Sequence, residues 1–352
     1  MNKNGKPIIA GILIILLLGG ITYKEWKTKK EDYKTTDVEV VLSLEDTISK
    51  NAIWCGTFNL IWNDLKTELV KKDIEFNPQL EIVENLNKGT FTTNDLSDTS
   101  YIKKLGHPTY ALKEEIEKEI KTKFNETSDI LDDFEWKKEE TEDYLLYAML
   151  KKEFTYPKEF TALKTSKFKN TENVSYFGID SVTDESVYKQ VEVLYYNNSS
   201  DFAIKLQTQE NEEIILSRGN TENTFKAIYE EIEKKSTQYQ KSKSFQKGDT
   251  LKIPYLNLKI KKEFTELENK DFYFANGKKY YIDKALQTIS LELNEHGGKI
   301  KSEAGMEVKQ FSALESSSRM FHFDDEFVFF LKEKYKSLPY FATKITDIEK
   351  FN

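Results

Sequence analysis

The feature that most constrains this fold is an alternating run of residues near the C-terminal end of the chain. From Gly298 to Val308 the even positions are small or apolar, and every odd position except Gly305 is charged. Side chains point alternately to the two faces of a β-strand, so this pattern indicates a strand with one apolar and one charged face. A shift of one residue would turn several charges inward, so only one register is tolerable if the strand is buried. Any half-buried strand shows this alternation, so the run is either a mobile segment or an already paired strand.

Strand-like segments lie on both sides of this run. Residues 285–293 alternate as a strand and end at the polar turn Asn294–Gly298. After a second polar turn, residues 321–330 are rich in Phe, which favours strands. The apolar density of both flanking segments predicts that 285–293 lies inside a large sheet. It also predicts that 321–332 pairs in a second sheet behind it.

This order of segments resembles the reactive-loop region of the serpins. In that family a strand and a Glu-x-Gly hinge lead into an exposed loop, which ends before a Phe-rich strand near the C-terminus. The resemblance identifies the chain as a divergent, membrane-anchored, bacterial-type member. It implies an α+β fold with N-terminal helices packed on a large mixed or antiparallel sheet, a second smaller sheet and an exposed loop. The segments that carry the resemblance are 284–287, 294–297, 323–330 and 336–342.

The resemblance also assigns roles within the loop. Its hinge falls on Glu295, Gly297, Gly298 and Ile300. Counting along the loop as in the family places the scissile bond at Phe311-Ser312. An aromatic residue before the cut suits a serine protease of the chymotrypsin or subtilisin type, which the freed loop would trap by inserting as a new strand.

A second expectation concerns the region that controls sheet opening in serpins, called the shutter. Its Ser-Pro-x-Ser pattern corresponds here to Cys55, Gly56 and Phe58, and its histidine falls on Gln287. The usual hydroxyls are therefore missing, and the hinge carries bulky residues at 299–301 where inhibitors favour small ones. Two functions remain open: a non-inhibitory binding or structural role, which these departures favour, and a suicide-type inhibitor.

The N-terminus reads as a membrane-targeting segment. Residues 7–23 are uncharged and mostly apolar between lysine-containing flanks, and as a helix they would span about 25 Å, the short limit for a bilayer. The sequence predicts a signal anchor at 1–23, a polar tether at 24–36 and one domain at 37–352. A cleaved signal peptide is the alternative. The expected location of the body is extracytoplasmic, held at the cell membrane by a single span, or secreted if the segment is cleaved.

Composition and motifs exclude several other functions. A net charge of −8 gives no basic footprint for nucleic acid. The lone Cys55 and three scattered histidines provide neither a disulfide nor a zinc site, and no phosphate loop or other cofactor motif occurs. Ser312, His322 and Asp324 lie close in sequence, but proximity along the chain does not make a catalytic triad. We expect a monomeric protein that is not an enzyme and binds no metal or cofactor, with a serine protease as a candidate partner.

Helical periodicity predicts helices at 79–88, 94–105, 109–124, 141–151 and 221–235. Asn94 and Thr109 are expected to cap two of them, and Asn220 or Thr221 the last.

Overall fold

The Phe-rich run near the C-terminus forms the middle of the largest sheet. The computed structural model describes residues 37–298 and 318–351. Within them, the strand Phe327–Glu333 is buried at every position, as expected for a strand covered on both faces. It pairs antiparallel with Glu212–Arg218 on one side and Phe341–Ile345 on the other.

This large sheet has seven strands and is mixed, because only its first two strands run parallel. In spatial order its strands are β1 (Glu39–Val40), β2 (Ala52–Cys55), β19 (Phe341–Ile345), β18 (Phe327–Glu333), β10 (Glu212–Arg218), β9 (Asp201–Gln207) and β8 (Val191–Asn198).

A smaller sheet has four strands, and the remaining strands form separate pairs. The four-stranded sheet contains β17 (Met320–His322), β11 (Thr250–Pro254), β7 (Thr171–Ile179) and β6 (Thr161–Phe168). The pairs, all antiparallel, are β3 (Tyr101–Gly106) with β4 (Leu145–Leu150), β12 (Leu256–Glu263) with β15 (Leu286–Leu293), β13 (Asp271–Tyr273) with β14 (Lys279–Tyr281), and β5 (Phe154–Thr155) with β16 (Gly297–Gly298).

Four α-helices lie in the described residues. They are α1 (Thr57–Asp64), which continues as a π-helical segment Leu65–Val70, α2 (Glu81–Asn87), α3 (Tyr110–Phe124) and α4 (Phe225–Gln238). Short 3₁₀ turns occur at Thr93–Asp95, Leu131–Asp133, Glu185–Gln190 and Ile348–Phe351.

The helices pack by their apolar stripes. In α4, Phe225 and Tyr229 contact Phe330 of the large sheet at ring distances of 6.1 and 5.6 Å. In α3, Ile116 and Ile120 are fully buried against the β3–β4 pair. The predicted α+β class, with N-terminal helices, a large mixed sheet and smaller sheets, is confirmed.

Two predicted helices are wrong. Residues 94–105 form a 3₁₀ turn followed by β3, and residues 141–151 contain β4. The two segments pair with each other, and this non-local ladder outweighs their local helical pattern. Correspondingly, Thr92 and not Asn94 provides the cap, since its side chain accepts from Asn94 N. The cap at Thr109 is confirmed, because its Oγ1 accepts from Leu112 N at 3.2 Å.

One helix boundary and two sheet assignments also differ. The helix predicted at 221–235 begins at Phe225 and is capped by Thr224, whose Oγ1 accepts from Ala227 N. The strand predicted at 285–293 is confirmed as β15, but its expected place inside a large sheet is wrong, because its only ladder among the described residues is with β12. The segment 321–332 divides into β17 and β18, which belong to different sheets.

The predicted anchor at 1–23 and tether at 24–36 lie outside the described residues. Across 37–298 and 318–351, no helix combines the length and apolar character needed to cross a bilayer.

Candidate functional site

The candidate site begins where the chain reverses after β15. Asn294 N donates to Gly297 O at 3.0 Å, Gly297 N donates back to Asn294 O at 3.3 Å, and the Asn294 side chain accepts from His296 N at 3.0 Å. These bonds close a tight turn. Gly297 and Gly298 therefore run back alongside β15 in the opposite direction.

The two glycines are buried in a position that admits no side chain. Gly297 has a φ of 138°, and a Cβ there would lie 2.2 Å from Phe154 O. At Gly298, a Cβ would lie 2.9 Å from the ring of Phe154 and 3.2 Å from Glu292 O. Since Phe154 belongs to β5 and Glu292 to β15, Gly298 lies between these two strands. This close approach explains why the sequence has glycine at both positions.

The turn 294–298 is fixed by backbone hydrogen bonds to the segment after β5. Glu295 O accepts from Phe160 N and His296 O accepts from Tyr156 N, both at 3.0 Å. The His296 ring lies 3.0 Å from the Glu159 carboxylate and 3.3 Å from that of Glu295. Three predicted hinge residues, Glu295, Gly297 and Gly298, are thus together, while Ile300 lies outside the described residues.

Two strands lie near Gly298, the last described residue of this turn. β4 pairs with β3 and leads into β5, and β15 pairs with β12; among the described residues no ladder joins β4 to β15. Both strands lie over the start of α1, because Leu146 of β4 packs on the cluster that contains Phe58 and Trp62, and Gln287 of β15 bonds to the residues that precede and begin α1. We name the region bounded by 145–155 and 286–293 the β4–β15 slot.

Two of the predicted shutter residues, Cys55 and Gln287, are in contact beside this slot. Gln287 is buried, and its Nε2 donates to Cys55 O at 3.0 Å and to Thr57 Oγ1 at 2.8 Å. Its Oε1 has no hydrogen-bond partner within the described ranges. Sequence analysis missed Thr57, the hydroxyl that this contact uses. Phe58 instead enters an apolar cluster, 5.3 Å from the ring of Phe264.

The Cys55 thiol is a neutral group in this site. Burial raises its pKa, and its Sγ lies 4.0 Å from Thr57 Oγ1. An inert buried thiol is the ordinary state of a cysteine in apolar surroundings.

A buried ion cluster at the end of β4 was also missed from the sequence. Lys152 Nζ lies 2.6 Å from the carboxylates of both Glu212 and Glu333, which are 2 to 3% exposed. Burial alone would raise the pKa of Glu333, but hydrogen bonds from Lys152, Ser97 and Ser100 outweigh it and lower that pKa to about 2. The cluster ties the end of β4 to β10 and β18 of the large sheet. Lysines and glutamates far apart in the sequence gave no signal of it.

Of the remaining candidate residues, His322 and Asp324 are described, and each bonds to a different partner. His322 Nε2 bonds to Thr250 Oγ1 at 2.8 Å, and burial lowers the pKa of His322. Asp324 accepts from Arg218 at 2.7 Å. Ser312 and the predicted scissile bond Phe311-Ser312 lie outside the described residues. Within the described part of the chain, no three His, Cys, Asp or Glu side chains are grouped so as to hold a metal.

Comparisons with known proteins find similarity at the level of structure alone. No protein-family model matches the chain, and no curated protein matches it. The fold is similar to that of human thyroxine-binding globulin complexed with its hormone, with 10% identity over 85% of this chain and 92% of that chain and a TM-score of 0.47. It is similar to the thermophilic serpin tengpin in the native state, with 11% identity, coverage of 86% and 90% and a TM-score of 0.49. It is also similar to human glycosylated kallistatin, with 13% identity, coverage of 85% and 92% and a TM-score of 0.47. At TM-scores below 0.5, these similarities define neither a family nor a ligand for this chain.

Proposed function

We propose that this chain is a non-catalytic, serpin-like protein that inserts the segment following Gly298 as a strand into the β4–β15 slot. The observation that carries the proposal is the position of Gly297 and Gly298. They already run antiparallel to β5 and lie against β15, as the first residues of an inserted strand would. A strand that continued from them would meet the edges of β4 and β15 that have no ladder within residues 37–298 and 318–351.

Insertion has a favourable energy balance. Each new ladder hydrogen bond contributes about 0.5–1.5 kcal/mol net. Burying Ile300, Met306 and Val308 on the even-numbered face would contribute about 1.5–3 kcal/mol each before the ordering entropy is subtracted. The charged odd-numbered face would then point to solvent, which is the single register that the alternation permits.

The function that uses this insertion best is suicide-type inhibition of a chymotrypsin- or subtilisin-like serine protease. The protease serine would attack the Phe311 carbonyl carbon, the bond to Ser312 would break, and the Ser312 amine would leave with a proton. The protease would remain attached to Phe311 as an ester. Insertion of the freed segment before water hydrolyses that ester would trap the complex.

A specific observation favours the second candidate, a non-inhibitory binding or structural role. The hinge is fixed at Glu295 and His296 by backbone bonds, and Gln287 ties β15 to Cys55 and Thr57. Together with the bulky residues at 299–301, these contacts would slow insertion. Slow insertion allows the ester to hydrolyse and the protease to escape.

One cleavage experiment separates the two candidates. The chain is cut with chymotrypsin, and thermal melting and an SDS gel follow. We expect cleavage at Phe311-Ser312, a higher midpoint after cleavage and an SDS-stable complex with the protease. Cleavage without any rise in the midpoint would reject insertion, whereas a rise without a stable complex would leave insertion and reject inhibition.

Gly298→Arg is the matched test of the hinge. A buried, unpaired Arg between Phe154 and β15 should block insertion, so cleavage should no longer raise the midpoint. The control is Gly277→Asn, because a Cβ at Gly277 meets nothing within 4 Å and Asn tolerates a positive φ. If Gly298→Arg does not fold, Gly298→Ala takes its place, because even its Cβ would lie 2.9 Å from the Phe154 ring and 3.2 Å from Glu292 O and should hinder insertion.

We also propose that residues 7–23 stay on the mature chain and hold the body at the outer side of the cell membrane. The support is the uncharged apolar run between lysine-containing flanks. Fractionation should find the full-length chain with the membranes, and external protease should digest the body in intact cells. Full-length chain in the soluble fraction would overturn the anchor, and a protected body would overturn the orientation.

A further inference from the structure

A tyrosine that packs against no other described part of the fold lies in the turn between β18 and β19. Lys336 N donates to Glu333 O at 3.2 Å, which closes a four-residue turn with Tyr335 at its third position. Tyr335 has a φ of 66° and is 98% exposed. Gly or Asn suits this left-handed position, whereas a bulky side chain is strained there and, being exposed, gains no packing in return. Such an outlier points to a role in contact with something else.

The charges beside Tyr335 make this tip positive. Lys334 and Lys336 flank it, and Lys336 Nζ donates to the backbone carbonyls of Asn94 and Leu96 at 2.8 and 3.1 Å. Within the described residues, neither lysine has an ion pair with a carboxylate. The tip is therefore a positive, aromatic protrusion on a chain of net charge −8.

A complementary surface lies where β4 begins. Tyr110, Tyr144 and Tyr281 are 57, 38 and 56% exposed around the ion pair of Lys137 with Asp143. Tyr110 N bonds to Lys137 O at 3.1 Å, Tyr144 directly follows Asp143, and the Tyr144 ring lies 6.4 Å from the ring of Tyr280, the residue before Tyr281. We name these three tyrosines with residues 135–143 the acidic tyrosine patch.

The patch carries an excess of negative charge. Residues 135–143 contain five carboxylates and two lysines. Glu139 and Glu140 are exposed and, in the part of the chain that the structure describes, have no ion-pair partner. An aromatic surface with free carboxylates suits a partner that brings an aromatic ring and ammonium groups.

The tip and the patch lie at opposite ends of β4. The patch contains Tyr144, which directly precedes β4. The tip directly follows Glu333, which is bonded to Lys152 just beyond the other end of β4. Contact between these surfaces within one chain is therefore excluded, and contact between two chains would be head to tail.

We propose that the tip 334–336 of one copy docks on the acidic tyrosine patch of a second copy. Because the two surfaces differ and lie at opposite ends, the association is heterologous and extends into open chains of molecules. It departs from the monomer expected from the sequence, and it does not depend on strand insertion. Since charge attraction between exposed groups contributes to it, the association weakens at high salt.

The test is sedimentation velocity of the full-length chain in a non-ionic detergent. Concentrations of about 10 µM suit contacts of weak affinity. We expect the sedimentation coefficient to rise with concentration at low salt and to stop rising at about 0.5 M salt, where charges are screened within a few ångströms. Tyr335→Gly should weaken association at least about tenfold, as expected when an aromatic anchor is lost. Its melting temperature should stay equal or rise, because glycine relieves the left-handed strain.

A charge exchange identifies the partner surface. Lys334→Glu/Lys336→Glu changes the tip, and Glu139→Lys/Glu140→Lys changes the patch. Each double variant should fail to associate alone, and an equal mixture of the two should associate again, because each carries the complement of the other. Lys334→Glu alone serves if the change at Lys336 lowers stability through its bonds to Asn94 and Leu96.

Three outcomes would overturn the proposal: a wild-type chain that stays monomeric across the concentration range, a Tyr335→Gly variant that associates like the wild type, or a mixture that does not recover. If shared detergent micelles caused the association, every variant would associate equally through its membrane anchor. Only a contact between tip and patch produces loss in each variant and recovery in the mixture.

Discussion

The seven-stranded sheet and the β4–β15 slot use similar strands in opposite ways. The central strand of the large sheet, β18, has ladders on both sides and every residue buried. In the slot, β4 and β15 each have one ladder in the described residues, and about half of their positions are only partly buried or exposed. Stability is not uniform across a fold, and regions with fewer buried contacts open first. We infer that the large sheet holds the molecule together and the slot is where it can change.

Two polar contacts connect these regions. Lys152, beyond the end of β4, is paired with Glu212 and Glu333 of the large sheet. Gln287 of β15 is bonded to Cys55 at the end of β2 and to Thr57. Widening the slot requires β4 and β15 to move away from the large sheet, which strains or breaks these contacts. Substitutions at each contact therefore test whether the slot opens more easily than the sheet.

The largest effect is expected in the core of the large sheet. Phe330 has no exposed surface, and Phe330→Ala should lower the free energy of unfolding by about 3–5 kcal/mol, measured by urea denaturation. Ile289→Ala in β15 should cost about 2–3 kcal/mol, the low end for such a change, because the slot wall can relax. A larger loss at Ile289 than at Phe330 would contradict the comparison.

Lys152→Met should lower the free energy of unfolding by about 3 kcal/mol, because it leaves two buried carboxylates without their cation. Urea denaturation measures the loss, and hydrogen exchange should show faster opening in β4 than in β18. The control is Lys278→Met, which breaks an exposed pair with Glu142 and should cost about 0–1 kcal/mol. Equal losses in the two variants would show that the buried cluster does not stabilise the fold.

The same cluster predicts a pH dependence. The pKa of Glu333 is lowered to about 2 from its ordinary value of 4.5, so its contribution to stability is present above pH 4.5 and is lost as the pH falls towards 2. This contribution is about 3 kcal/mol. The stability difference between the wild type and Glu333→Gln should therefore shrink as the pH falls through this window in denaturation experiments. A difference that is constant with pH would show that Glu333 is not held ionised by the cluster.

The smallest effect is expected at the second contact. Gln287→Ala removes the bonds to Cys55 O and Thr57 Oγ1 and should cost about 1–3 kcal/mol. Thr57→Val removes only one of them and should cost less. If these bonds resist opening of the slot, both variants should also speed the rise in thermal stability after cleavage at Phe311-Ser312. An unchanged rate would show that Gln287 supports the fold without controlling the slot.

The sequence pattern predicted those helices and strands whose secondary structure does not depend on pairing with distant segments. The stripe of α3 and its Thr109 cap follow from a period near four and a single side-chain oxygen. The alternation of β15 likewise gave its limits to within one residue. Glu295, Gly297 and Gly298 were placed by the resemblance of their segment to the serpin hinge, and the close approach of Phe154 explains why two of the positions are glycine.

Pairing between distant segments decided the rest. The short apolar runs that became β3 and β4 fit a helix or a strand equally, and only their mutual ladder made them strands. Strand periodicity shows which face of a strand is buried but not which strand lies beside it, so it placed β15 in the wrong sheet. The same limit hid the contacts of Lys152 and of Thr57, because their partners lie far away in sequence. Charge and hydrogen-bond partners across such separations are selected by the packing of whole sheets, and only the tertiary structure brings them within reach.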